Sequence, residues 1–278
     1  MRPAFGSEHS GGKSSRTWQL VALACCLLPV ACQPPSEEPA EPTSREEATA
    51  DSLVDGWIEA AGGLAAWNSV QSARFTVTTV WYDSTGSIRR MRPRRVTILK
   101  DAGAQLSRIE RPEAEGLYVQ VFTGDTAWAT LNDAPLPADD GAVTESEYVG
   151  RDVFYWFGLP YKLRDPGVNR TAREKPDGGW EVRVTFGDQI GVHPGDQYFY
   201  YFLDDDPYPE EVHYIEQGRT EEDRNRTYWS DFREASPVTY VGTRLWRDSL
   251  GMPTKALRIN DVWINPGLPD DLFRAPDR

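Results

Sequence analysis

The sequence is poor in cysteine and in basic side chains, and each shortage excludes a class of protein. The three cysteines, Cys25, Cys26 and Cys32, lie close to the N-terminus. Residues 33–278 therefore hold no disulfide, no cysteine-ligated zinc and no thiol nucleophile. The 30 Lys and Arg residues against 43 Asp and Glu residues give a net charge of -13. Such a chain lacks the basic face that phosphates require, so we expect no nucleic-acid partner.

Recognisable catalytic and metal-binding motifs are also missing. The sequence contains no GxSxG, HExxH or EF-hand pattern, and after residue 32 its only histidines are His193 and His213. A hydrolase that uses His193 or the acidic cluster within residues 204–211 is an open alternative. A solvated hairpin turn is the simpler interpretation of that cluster. We predict that the protein is not an enzyme and that it uses no cofactor or metal.

No apolar run is long enough to span a bilayer. The longest is residues 18–31, which would extend about 21 Å as a helix, against a hydrocarbon core of ~30 Å. Arg2, Lys13 and Arg16 precede it. This arrangement is typical of a signal peptide, which we place at residues 1–31.

The apolar run ends in LPVAC, which resembles a bacterial lipobox, so Cys32 is predicted to be lipidated. Residues 33–50 are rich in Pro and Glu and show no apolar period, as expected of a disordered tether. Stable anchoring takes two lipid signals, and a diacylated cysteine supplies two chains. Gln33 after the cysteine favours an outer-membrane lipoprotein that faces the periplasm.

Residues 51–278 are predicted to form one domain, mainly β. In residues 180–187, Trp180, Val182, Val184 and Phe186 alternate with polar side chains, which is the period of a half-buried strand. About eleven strands with short links predict a single long antiparallel sheet, curled into an open or half β-barrel with few edges. The other predicted strands are residues 73–83, 88–99, 105–111, 117–123, 126–131, 197–203, 211–217, 226–234, 239–249 and 255–265.

Helices and charges complete the predicted domain. An N-terminal helix is capped by Asp51 or Ser52, and apolar residues follow at helical spacing. Residues 147–159 are apolar round nearly the whole circumference, which predicts a helix buried inside the curled sheet. A last short helix is predicted at residues 269–273. The basic residues within 89–95 are predicted to form a solvated edge, with contact to a phosphate or head group as the alternative.

Five segments in a fixed order carry a resemblance. They are AAGGLAAW (60–67), GRDVFYWFGLPYKLRD (150–165), VRVTFGDQIGVHPGDQYFYYF (182–202), YWSDFRE (228–234) and VWINPGLPDDLFRAP (262–276). In this order they resemble the LolA/LolB-like bacterial superfamily, and within it an uncharacterised (domain-of-unknown-function) family of predicted lipoproteins. The resemblance implies an open β-barrel whose helices cover a hydrophobic cavity. It also implies binding of acyl chains or lipoproteins rather than catalysis.

We therefore predict a monomer, held at a membrane by its lipid anchor, that binds a hydrophobic ligand (lipid, acyl chain or lipoprotein) in the barrel cavity. The alternative is a structural or interaction lipoprotein of the envelope with a solid core. Residues 197–203 are aromatic on both faces and fit either interpretation. The predicted ligand-binding residues are Phe75, Val77, Trp81, Trp156, Phe157, Trp180, Val182, Val184 and Phe186.

Overall fold

The computed structural model describes residues 43–101, 103–188, 190–191 and 193–276. The predicted signal peptide, Cys32 and the first part of the predicted tether lie outside these residues. Within the described ranges, no helix has the length and apolar character needed to cross a bilayer.

Antiparallel strands dominate the described part of the chain and form one 13-stranded sheet. The strands are β1 (Ser72–Tyr82), β2 (Ile88–Asp101), β3 (Ala104–Glu113), β4 (Gly116–Phe122), β5 (Ala127–Leu131), β6 (Ala134–Pro135), β7 (Val168–Glu174), β8 (Trp180–Phe186), β9 (Gln197–Phe202), β10 (Glu211–Ile215), β11 (Asn225–Ala235), β12 (Val238–Arg247) and β13 (Pro253–Ile264). Their order in the sheet is β6-β5-β4-β3-β2-β1-β13-β12-β11-β10-β9-β8-β7.

The sheet consists of two meanders joined where the first strand pairs with the last. Antiparallel pairing of β1 with β13 makes this seam, and Val77 lies opposite Ile259 there. The free edges are β6 and β7, which are consecutive in the chain but lie at opposite ends of the sheet. The predicted fold class, a single curled antiparallel sheet that stays open, is confirmed.

All eleven predicted strands are present, with ends shifted by at most a few residues, whereas β6 and β7 were not predicted. β6 has only two residues, too few to show any period. β7 reads VNRTARE, in which only Val168 and Ala172 are buried. Its weak alternation follows from its place at the edge of the sheet.

The helices are α1 (Ser44–Ala60), α2 (Gly63–Ser69), α3 (Gly141–Thr144) and α4 (Ser146–Phe157). The predicted start of α1 at residue 51 or 52 is wrong, and residues 44–50 are helical rather than disordered. A capping box begins the helix: Glu46 N–H donates to the Thr43 hydroxyl, and Thr43 N–H donates to the Glu46 carboxylate. The predicted helix at 269–273 is also wrong, because that segment forms turns.

α1 and α4 cover opposite halves of the concave face. α1 packs against β7 and places the Trp57 ring 5.6 Å from the Tyr200 ring and 6.1 Å from the Trp229 ring. α4 packs against β3, β4 and β5, as predicted for an element inside the curl. Gly150 faces Ser107 and Phe122 there, so that the helix backbone approaches the sheet closely.

Candidate ligand-binding cavity

A cavity of about 190 Å³ lies between α4 and the concave face of the sheet. Small-molecule sites usually measure ~300–1,000 Å³, whereas an engineered cavity of ~150 Å³ already holds benzene. The space therefore suits one narrow chain or a small ring. Its apolar wall consists of Phe75, Val77, Val153, Phe157, Val241, Leu257 and Ile259.

One stripe of α4 forms the roof of the cavity. Tyr148, Asp152 and Trp156 follow at intervals of four residues, and such residues share a helix face. The Trp156 Nε1–H donates to Asp152 Oδ1 at 2.6 Å, which fixes both side chains. Tyr148 is 48% exposed and lies at the rim. The roof thus presents an aromatic ring, a carboxyl group and a phenol to the interior.

Three cations line the wall near Asp152. They are Arg94 of β2, Arg244 of β12 and Lys255 of β13. Burial lowers the pKa of Arg244 to about 10 and also lowers the pKa values of Arg94 and Lys255. Burial raises the pKa of Asp152, an effect opposed by the positive charge of Arg94. The cavity is therefore amphipathic, whereas the sequence led us to expect an apolar lining.

Arg244 is held by aromatic rings. Its guanidinium carbon lies 4.5 Å from the Trp156 ring centroid and 4.9 Å from that of Trp229. One Nη atom donates to the Trp156 carbonyl oxygen at 2.9 Å. Stacking of a planar guanidinium on ring faces stabilises a cation that has lost its water.

The far end of the cavity is acidic and phenolic. Asp196 and Glu216 line it together with Tyr198 and Tyr214. Asp196 accepts hydrogen bonds from the Gln217 N–H at 2.7 Å and from the Tyr198 hydroxyl at 3.4 Å. A shallower cleft of about 120 Å³ adjoins this end. The cleft shares Asp152 and Asp196 with the cavity.

The nine predicted lining residues fall into three groups. Phe75, Val77, Trp156 and Phe157 line the cavity, and Phe186 lines the adjoining cleft. Val182 and Val184 are fully buried and pack in the core with Trp180. Trp81 is half-buried at the end of β1, where the Arg90 guanidinium lies 5.3 Å from its ring centroid. Trp81, Trp180, Val182 and Val184 therefore do not line the cavity between α4 and the sheet.

Sequence reasoning missed the charged lining residues. Arg151 and Asp152 are the only charged residues within 148–161. A charged residue in an otherwise apolar helix indicates that an ionisable group lies inside the curled sheet. Arg94 was assigned to a solvated edge, which is wrong because its side chain lines the cavity, although the described pairing of β2 with β3 starts only at Arg95. Arg94 lines the cavity, whereas its neighbour Arg95 is exposed and pairs with Glu110.

The acidic cluster of the hydrolase alternative lies apart from His193, which lines the adjoining cleft together with Asp152 and Asp196. Asp204, Asp205 and Asp206 are exposed in the turn after β9. The His213 Nε2 lies 2.8 Å from Glu211 Oε2, beside Tyr201 and away from the cavity. His193 lines the adjoining cleft but makes no side-chain hydrogen bond to a carboxylate of a described residue. Within the described ranges, no cluster of three or more His, Cys, Asp or Glu residues could hold a metal ion.

No protein-family model matches the chain, and no curated protein sequence matches it. Solved structures are similar to it. A DUF1329 family protein from Desulfovibrio piger has 10% identity and a TM-score of 0.51, over 82% of this chain and 97% of that chain. A LolA superfamily protein from Nitrosomonas europaea has 12% identity and a TM-score of 0.49, over 81% and 96%.

A putative outer membrane lipoprotein-sorting protein domain from Vibrio parahaemolyticus has 10% identity and a TM-score of 0.46, over 83% of this chain and 95% of that chain. At such identities the likeness concerns the fold alone. The fold of the DUF1329 family protein agrees with the kind of fold that the resemblance implied. The chain has a fold similar to that of the DUF1329 family protein.

Proposed function

We propose that this protein binds a single-chain hydrophobic molecule in the cavity between α4 and the concave face. The apolar wall carries this proposal, because Phe75, Phe157 and Ile259 form a surface that an alkyl chain can cover. Each buried methylene contributes ~0.8 kcal/mol. A chain of about ten carbons, reaching into the adjoining cleft, would bind with micromolar affinity before ordering costs.

The proposed setting is the bacterial envelope. Export through the signal peptide at residues 1–31 and acylation of Cys32 would hold a monomer at the outer membrane, facing the periplasm. The activity is binding rather than catalysis, because the side chains in the cavity make an amphipathic wall rather than a nucleophile with a positioned base. The motif LPVAC supports the anchor.

A variant that fills the cavity tests the proposal. Val241 is buried in the cavity wall, and Val241→Phe would place a ring in the space that the chain needs. Titration of the full-length protein with decanol is expected to show binding, and the variant is expected to bind at least tenfold more weakly. Circular dichroism would confirm that the variant is folded, because overpacking costs about 1–3 kcal/mol.

Leu250→Phe is the matched control. Leu250 lies in the turn between β12 and β13 and is 86% exposed, so the added ring should leave decanol affinity unchanged. Native mass spectrometry of the purified protein is a second test of binding, because a copurified lipid would increase the measured mass. If the protein shows no copurified lipid and no decanol binding, the solid-core interaction protein is the better interpretation.

A further inference from the structure

The three cations of the cavity lie on strands that are close together in the sheet. Arg94 is opposite Val77 of β1, and Lys255 is opposite Trp81 of the same strand. Arg244 is opposite Leu257 of β13. The register thus gathers three positive groups from β2, β13 and β12 at the wall facing α4.

These cations have few protein partners. Neither the Arg94 side chain nor the Lys255 ammonium makes a hydrogen bond or an ion pair within 4.0 Å in the described part of the chain, although the Lys255 ammonium lies 4.0 Å from the Trp246 ring centroid. Arg244 is 7% exposed and donates to the Trp156 carbonyl alone. The Nε atoms of Arg94 and Arg244 are buried and have no hydrogen-bond partner among described residues. A buried donor without an acceptor is costly, and most are satisfied in folded proteins.

Three carboxylates also line the cavity, but none of them pairs with a cation within 4.0 Å in the described structure. Asp152 is the acid that interacts electrostatically with all three cations, and no ion-pair distance of 4.0 Å or less joins it to any of them in the described structure. Asp196 and Glu216 lie at the phenolic end, where they act on the tyrosines instead.

We propose that the cavity recognises an anionic amphiphile, whose oxyanion head group contacts Arg94, Arg244 and Lys255 while its single alkyl chain lies against the apolar wall. This inference rests on the proposed function and adds the chemical class of the head group. Carboxylates and phosphates share the required chemistry, since both offer oxygens to a guanidinium in bidentate geometry. A cationic head group would be repelled by these donors, and a single uncharged hydroxyl offers them fewer acceptor sites and no negative charge.

Three ten-carbon probes separate the head group from the chain. Decanoate, decyl phosphate and decanol would be titrated into the full-length protein at pH 7.5. Both anions are expected to bind at least tenfold more tightly than decanol, and the tighter anion identifies whether a carboxylate or a phosphate is preferred. Equal affinity for decanol and both anions would overturn this inference and leave the proposed function standing. Absence of binding by all three would overturn the proposed function itself.

Two variants lower the positive charge without touching the stacked Arg244. Arg94→Met and Lys255→Met are each expected to lower the ratio of decanoate affinity to decanol affinity about tenfold. Arg89→Met is the matched control, because Arg89 is an exposed residue of the same strand as Arg94. A loss of decanol and decanoate binding by the same factor in Arg94→Met would contradict the inference.

A third variant should act in the opposite direction. Asp152→Asn removes the one negative charge beside the cations and keeps an oxygen that can accept from the Trp156 Nε1–H. Decanoate affinity is expected to rise several-fold relative to decanol affinity. A gain in anion affinity on removing an acid is a result that general loss of packing cannot produce. A fall in decanoate affinity would count against the proposed head-group site.

Discussion

Lys100 is a cation whose position makes stability depend on pH. Its Nζ donates to the Trp67 carbonyl oxygen at 2.7 Å and lies 3.7 Å from the Trp67 ring centroid. Burial, together with the positive charge of Lys162, lowers the pKa of Lys100 from 10.5 to about 8. Between these two values the unfolded chain keeps a proton that the folded protein has released. Stability therefore rises with pH across this interval.

The measurement is the free energy of unfolding of the wild type relative to Lys100→Met, from pH 7.5 to 10. The difference should grow in favour of the wild type above pH 8. The variant carries all the other titrating groups, so their contributions cancel. A difference that is flat or that falls with pH would show that Lys100 keeps an ordinary pKa in the folded state.

Which side chains reach the cavity could be predicted only in part. Strand alternation placed Phe75 and Val77 together on one face, and that face lines the cavity. Alternation also assigns the Arg94 and Arg244 side chains to one face of their strands, but it does not show whether solvent or a helix covers that face. That answer depends on α4, which comes from a distant part of the sequence. The amphipathic nature of the site was therefore missed.

Close docking of α4 depends on Gly150. A Cβ atom at this position would lie 2.7 Å from the Phe122 Cβ and would also meet the Ser107 hydroxyl. Alanine favours a helix over glycine by ~1 kcal/mol, but overpacking costs about 1–3 kcal/mol. Gly150→Ala is expected to lower the free energy of unfolding in urea.

Gly56→Ala in α1 is the matched control. Its Cβ would meet nothing within 4 Å, so only the helix preference acts. This variant should be more stable than the wild type by about 0.5–1 kcal/mol. If Gly150→Ala gains the same amount, α4 does not approach the sheet as closely as the structure indicates.

Helices and strands with a strong hydrophobic period were predicted well. Those whose formation depends on contacts with neighbouring elements were not. β8 has alternating apolar residues and its boundaries were found within one residue. β7 was missed because an edge strand covered by α1 needs only two buried side chains. The early start of α1 was missed because its first turns are polar and depend on the Thr43 capping box.

The cavity lies beneath the segment of chain that links the two edge strands of the sheet. The chain leaves β6 at one end of the sheet and reaches β7 at the other, and α4 lies on this crossing. The sequence was enough to predict an antiparallel meander whose strands are joined by short loops. The pairing of β1 with β13 could not, because it joins residues nearly two hundred positions apart.

The proposed anchor makes a separate prediction about where the protein resides in cells. Cys32→Ser should move the full-length protein from the membrane fraction to the soluble fraction and abolish labelling with radioactive palmitate. Cys25→Ser is the matched control, because this cysteine also lies in the apolar run but is predicted to be cleaved off. Palmitate labelling of the Cys32→Ser protein, or its retention in the membrane fraction, would show that Cys32 is not the anchor.

Ligand binding between α4 and the sheet can be located directly with a brominated chain. A crystal of the protein soaked with 10-bromodecanol would be measured at the bromine absorption edge. The anomalous peak is expected within the cavity or its adjoining cleft, on a chain that contacts Phe75, Phe157 and Ile259. A peak elsewhere on the protein, or a cavity that stays without chain density at saturating ligand, would contradict the proposed binding site.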